Sequence, residues 1–205
     1  LHGEKWFCSN FTADYWLVTA RVDPNIKDHR GIGLFLVPRE QEGWSINRLK
    51  DKLGTRALPT GEITFRGAKG WPVGALNAGL KTMVSVVLIT SRIHNIVASA
   101  GYVKRAYDEA YAYANFRSAF GKKLSNHPLI RESLNELKRE RDLMAAGAFA
   151  TVDWWIYSNE ASATELEKHW SRILISIAKA ISTRRSTMTV YKAMMVLGAN
   201  GIEER

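Results

Sequence analysis

The pattern of apolar and polar positions changes near residue 72. Residues 4–9 (EKWFCS) and 15–21 (YWLVTAR) are short runs rich in aromatic and β-branched residues, split by a polar NFTAD turn. A hydrophilic connection, VDPNIKDHRG, leads to GLFLVPRE at 33–40, an apolar run closed by Pro38. EGWSINRLK and GEITFRGAKG follow, with TRALPT between them. Runs of this length at close spacing, punctuated by Gly, Pro, Asn and Asp, predict an antiparallel sheet or small barrel. The alternation is too imperfect to give a register.

No proline occurs from 73 to 127. From Leu80 to about Phe116 the chain is Ala-rich and interrupted only by Gly101, which predicts one long helix. Met83, Val84, Val86, Val87, Leu88 and Ile89 are apolar nearly all round, as in a central buried helix, while Arg105, Asp108 and Glu109 belong to a solvated face. RSAFGKKLSNHP breaks the helix, with Gly121 suited to its C-terminal cap. Ser125 or Asn126 can cap the next helix, and Pro128 suits its first turn. That helix is expected to run to about Ser158, with Ile130, Leu134, Leu137, Met144 and Ala148 as its buried stripe. Thr164 and Glu167 have capping-box spacing and open a third helix. It carries Leu166, Trp170, Ile173, Leu174, Ile177 and Ile181 on one stripe and stops at Gly198. The fold class is therefore α+β: a small antiparallel β-barrel or sheet domain (residues 1–75), then an antiparallel α-helical bundle (76–205).

Composition adds limits. Apolar residues make up 46% of the chain, enough for a sizeable core. The formal net charge of +9 fits either a solvated basic face or a polyanion partner, such as nucleic acid or a phosphate-bearing cofactor. Cys8 is the only cysteine, so no internal disulfide can form. No Cys/His ligand spacing is present, and no metal site is expected. No run of 18 or more apolar residues occurs, so no membrane insertion is expected. LHGEKWF already reads as a strand, and GANGIEER as a helix end with an unfinished loop, so a piece of a longer chain is expected. The compartment is then weakly constrained: cytoplasmic, or mitochondrial in a eukaryote.

Four segments, in order, resemble the acyl-CoA dehydrogenase family. LHGEKWFCSN is similar to the family's G-x-K-x-W/F-I-T/S-N opening, and LKDKLGTRALPTGEITFRGAKG to its K-x-G-x-R strand pair. SRIHNIVASAGYVKRAYDEAYAYANFRSAFGKKLSNHP is similar to the helix ending in R-x-x-F-G, and LGANG to G-G-N-G. Each segment alone is weak; together they cover most of the chain. KWFCSN with LKDKLG also resembles the alkylation-response flavoproteins, a subgroup with a basic DNA-binding face.

The resemblance implies FAD as cofactor and oxidation of an acyl-CoA to its 2,3-enoyl form. Electron-transfer flavoprotein would be the next acceptor, and the assembly a homodimer or homotetramer. Phe7 matches the aromatic beside the isoalloxazine, Ser9 the hydroxyl that bonds flavin N5, and Cys8 the residue between them. Arg117 matches the arginine that reaches the FAD pyrophosphate of a neighbouring subunit, with Phe120 beside it. Read without the resemblance, the strand is an ordinary aromatic one and Arg117 compensates a helix dipole. His127 matches a position near the cofactor, although Pro128 replaces the usual glutamine after it. Met195, Val196, Leu197, Gly198 and Ala199 match the segment around the adenosine side, with Ala199 in place of a second glycine. Arg92 matches a supporting arginine near the active-site loop. No catalytic base matches: one family position is Ser91 here, and the other is expected beyond Arg205, so the isolated chain is expected to be inactive. The rival reading is a DNA-associated flavoprotein with little dehydrogenase activity.

Overall fold

The structure, a computed structural model, describes residues 1–203. The chain divides into two compact units, residues 1–87 and the stretch from Leu88 onward.

The first unit holds two three-stranded antiparallel sheets. One has the order β1 (His2–Ser9), β5 (Thr60–Arg66), β4 (Trp44–Leu49); the other β2 (Tyr15–Arg21), β3 (Ile32–Pro38), β6 (Trp71–Pro72). Their inner faces share a core of Phe11, Val18, Val37, Ile63, Phe65 and Ala68. Trp16 and Trp44 meet edge to face at 4.7 Å, and each indole N–H donates to a backbone carbonyl, of Phe11 and Arg39 respectively. Aromatic bulk is thus partly buried with no loss of hydrogen bonding.

Two neighbours of β5 are irregular at the same place. In β1 the register passes from Lys5↔Ile63 to Cys8↔Gly61, so Trp6 and Phe7 together oppose Glu62. In β4 it passes from Ile46↔Ile63 to Arg48↔Glu62, leaving Asn47 as the extra residue. Such bulges re-aim side chains and often lie beside functional sites. They also explain why simple alternation gave no register.

The unit closes with α1 (Gly79–Thr82) and a π-helical stretch, Met83–Leu88, whose last residue opens the second unit. Val84, Val86 and Leu88 are exposed, so this segment is not the fully buried helix its apolar run predicted. That expectation stood on apolar residues all round the segment, and apolar composition alone does not fix burial.

The second unit consists of α2 (Ile89–Phe116), α3 (Pro128–Ser158) and α4 (Glu165–Leu197) packed together. Its core has two clusters. One joins Tyr107, Ala110, Ala114, Leu134, Leu137, Ala193 and Val196; the other joins Ile89, Ile93, Ile96, Ala148 and Ile175. Gly79–Phe116 is long and apolar enough to cross a membrane by length and composition. Only 17% of its most apolar 18-residue window is buried, and within the second unit α2 buries Ile93, Ile96 and Val103.

Two further expectations, both in the second unit, are not met. The stripe Leu166, Trp170, Ile173, Ile177 and Ile181 of α4 is largely exposed. The buried face of α4 is instead Ser171, Ile175, Ser182, Ser186, Thr189, Ala193 and Val196. Small side chains let helices approach closely, and their hydroxyls are satisfied locally: Ser186 donates to Thr183 O and Thr189 to Arg185 O. The second correction lies at 117–127. Gly121 does not cap α2, which ends on extended Arg117, and a two-residue hairpin, β7 (Ser118–Ala119) and β8 (Lys122–Lys123), follows. Phe120 and Gly121 form its turn at φ 52° and 80°, as a primed hairpin turn requires. Leu124–Asn126 then form a 3-10 turn, and His127 rather than Ser125 or Asn126 precedes α3.

The capping box of α4 forms as its spacing predicts: Thr164 Oγ1 accepts from Glu167 N, and Glu167 Oε2 accepts from Thr164 N at 2.8 Å. The Thr164 hydroxyl, which also donates to Glu167 Oε2 at 2.7 Å, then the Thr164 N–H and the Tyr157 hydroxyl, hold the Glu167 carboxyl below its usual range. Its contribution to stability is therefore present at neutral pH and lost as the pH falls through the carboxylate range. Thr164→Ala is expected to lower stability by about 1 kcal/mol in urea titrations at neutral pH. The deficit should shrink in acid, where the box is already broken.

Candidate functional site

Phe7, Cys8 and Ser9 line one wall of a groove of ≈460 Å³ within the first unit, with Trp6, Tyr15, Leu17, Thr19 and Met83 around it. Phe7 is 58% exposed although it is aromatic. The Ser9 hydroxyl is exposed and makes no hydrogen bond among the described residues. Cys8 is half-buried, and burial pushes its thiol above the ordinary range despite Lys5 nearby, so it is held as a neutral thiol. The wall is thus an exposed ring and a free, rotatable donor two residues apart.

A second group gathers at one end of the helical unit. The hairpin fixes Arg117 and His127 through its backbone: Leu124 N donates to Arg117 O, and His127 Nε2 donates to Ala119 O at 3.1 Å. Phe120 stands 95% exposed and meets the His127 ring edge to face at 6.2 Å. The Arg117 guanidinium is exposed and has no carboxylate partner among the described residues. The end of α4 joins the same region, because Asn200 Nδ2 donates to Tyr113 Oη at 2.9 Å and Arg117 N donates to Tyr113 O. Val196 is buried, Leu197 partly buried, and Met195, Gly198 and Ala199 are exposed. Gly198 has φ 60° and ends the helix in a conformation that disfavours a Cβ.

Arg92 is not part of this group. It lies 25 positions earlier on one helix, roughly 37 Å away at 1.5 Å per residue. Its half-buried guanidinium also lacks a carboxylate partner among the described residues. Two helix carboxylates are paired with cations: Glu109 with Arg105 at 2.6 Å, and Glu136 with Lys192. Lys192 holds the Glu136 carboxyl below its usual range, the opposite of what a general base near neutral pH needs. No cluster of metal-ligating side chains occurs among the described residues.

Sequence reasoning missed one feature beside the groove. Lys50 ion-pairs with Glu62, Trp6 Nε1 donates to Glu62 Oε1 at 3.1 Å, and the Lys50 ammonium lies 4.2 Å from the Trp6 ring centre and 4.6 Å from that of Phe7. The pairing depends on the twin bulges around Glu62, which no spacing rule foretells.

Residues 1–68 match the profile of the acyl-CoA dehydrogenase middle domain, and residues 77–205 that of the acyl-CoA dehydrogenase C-terminal domain. The chain belongs to the acyl-CoA dehydrogenase family. Acyl-CoA dehydrogenase family member 11 of Caenorhabditis elegans is 31% identical over 213 residues, covering 100% of this chain and 34% of that relative. Escherichia coli AidB is 30% identical over 206 residues, covering 98% of this chain and 36% of the relative. The chain thus spans about a third of the length of these curated relatives. Caenorhabditis elegans ACDH-11, solved in complex with C11-CoA, superposes with a TM-score of 0.90 at 30% identity, over 98% of this chain and 35% of that one.

Proposed function

We propose that this acyl-CoA dehydrogenase chain carries flavin-binding residues of an enzyme that oxidises an acyl-CoA to its 2,3-enoyl form, with FAD as cofactor. The observation that carries the reading is the free Ser9 hydroxyl beside exposed Phe7 on the bulged strand of the groove. The residues present fit the cofactor. A flat ring needs an apolar surface and a donor for its acceptor nitrogen, and Phe7 and Ser9 offer both. A pyrophosphate needs an unengaged cation, and the Arg117 fork is exposed and unpaired among the described residues. When bound, FAD would accept hydride from the β carbon of the thioester.

The chain's own residues then have distinct tasks. Ser9 donates a hydrogen bond, and Phe7 shields one side of the ring from water. Arg117 and residues 195–199 serve a phosphate and adenosine end, in a neighbouring copy if the assembly is a homodimer or homotetramer. Arg92 supports the reacting region. Removal of the α proton requires a carboxylate that residues 1–203 do not supply, since Ser91 occupies the one matching position here. The acyl-CoA and an electron-transfer flavoprotein complete the reaction as substrate and onward acceptor.

The net charge of +9 favours a second reading, a DNA-associated flavoprotein with little dehydrogenase activity. Ser9→Ala separates the contribution of the hydroxyl in either case. It is expected to weaken FAD binding by roughly three- to tenfold, the loss of one neutral hydrogen bond, with Ser9→Thr close to the parent. Fluorescence titration with FAD is the check, and equal affinity for Ser9→Ala would remove Ser9 from the site.

A further inference from the structure

Trp6 and Phe7, which line the groove, are held from outside its lining by Lys50 and Glu62. Consecutive residues on a regular strand point to opposite faces. Trp6 and Phe7 are consecutive, yet one ammonium, that of Lys50, lies 4.2 and 4.6 Å from their ring centres. The bulge opposite Glu62 makes this possible, and the two rings meet edge to face at 5.1 Å and 84°. Both rings are nevertheless largely in solvent, Trp6 at 70% and Phe7 at 58% exposure.

Beneath these exposed rings the polar groups are covered. The Lys50 side chain is only 10% exposed, and the Glu62 side chain 23%. Withdrawing an ammonium from water is costly unless it is paired, and here Glu62 pairs it. Glu62 also accepts the Trp6 indole N–H, so one carboxylate ties the cation to one of the rings that the cation touches. Lys50 and Trp6 both hold the Glu62 carboxyl below its usual range, so the clasp stays ionised at neutral pH. Core packing does not account for the cluster, because the rings it holds bury little. What it achieves is a fixed orientation for two aromatic side chains that would otherwise sample several rotamers.

We propose that Lys50, tied down by Glu62, is a positioning residue that presets the aromatic lip of the groove, Trp6 and Phe7, for stacking by the flat ring of a ligand. The identity of that ring as flavin rests on the function proposed above; the clasp itself rests on the geometry alone. Preorganising the lip removes the ordering cost that a ligand would otherwise meet on binding. A cation behind the ring face also polarises it, an effect of Lys50 that an apolar residue of equal length cannot supply.

The test uses the protein with Lys50→Met, Lys50→Arg and Glu62→Gln, and two readouts. The first is FAD affinity by fluorescence titration. The second is the indole N–H resonance of Trp6 in 15N spectra, assigned by its loss in Trp6→Phe. Lys50→Met is expected to weaken FAD binding about tenfold and to shift or broaden the Trp6 resonance. Glu62→Gln should do the same to a lesser degree, and Lys50→Arg, which keeps both the charge and the pairing, should restore both readouts. A merely structural lysine would lower the melting temperature without Arg rescue of affinity and without moving the Trp6 signal. Unchanged affinity and an unchanged Trp6 resonance in Lys50→Met would overturn the proposal. If the parent protein takes up no FAD at all, the flavin reading fails by itself. The Trp6 resonance then still decides whether Lys50 holds the lip.

Discussion

Arg117→Ala is expected to weaken FAD retention roughly a hundredfold, on the basis of about 1.5–3 kcal/mol for each hydrogen bond to a charged group. The side chain sits on the extended residue that ends α2, exposed and without a carboxylate partner among the described residues. Nothing in the fold depends on its charge, so stability should stay within about 0.5 kcal/mol of the parent. Arg117→Lys should recover part of the affinity, because an ammonium keeps the charge but loses the bidentate fork. Dialysis of flavin-loaded protein, followed by the bound flavin per chain, gives the comparison. Full retention by Arg117→Ala would return Arg117 to the plainer role of compensating a helix dipole.

Gly79→Ala is expected to destabilise the first unit by about 3 kcal/mol, near the upper end for overpacking a close contact. A Cβ at Gly79 would lie 2.2 Å from both Gly33 C and Leu34 N, so helix and strand must separate for it to fit. Those neighbours are backbone, which cannot swing aside as a side-chain tip can. Gly101 is the contrasting case: a Cβ there meets nothing within 4 Å, and the residue lies inside α2. Gly101→Ala should therefore stabilise the protein by about 0.5–1 kcal/mol. Urea unfolding of both variants tests the pair, and similar midpoints for the two would contradict the close approach.

Much of this architecture was legible from residue patterns. Short aromatic and β-branched runs gave the strands, and Thr164 with Glu167 gave the start of α4, because both signals act within a few residues. The exposure of the α4 stripe has a physical reason. Trp170, Ile173 and Ile177 are more apolar than Ser171, Ser182 and Thr189, yet close helix packing selects small side chains whose hydroxyls bond to their own helix. The hairpin at 118–123 is not legible in the sequence, because Gly121 serves a helix cap and a primed turn equally well. The candidate site shows the same division. Phe7, Ser9 and Arg117 could be singled out by motif, and the structure leaves all three exposed. Lys50 could not, since its partner Glu62 lies 12 residues away and meets it through bulges.

Under the proposed function, the full-length protein passes hydride from an acyl-CoA to a flavin held at the Phe7–Ser9 strand. Anaerobic addition of an acyl-CoA thioester to the full-length, flavin-loaded protein tests it directly. The account predicts bleaching of the visible flavin absorbance together with formation of enoyl-CoA. An oxidised spectrum that persists through a panel of acyl-CoA chain lengths, in a protein retained on DNA in a salt-sensitive manner, would contradict it.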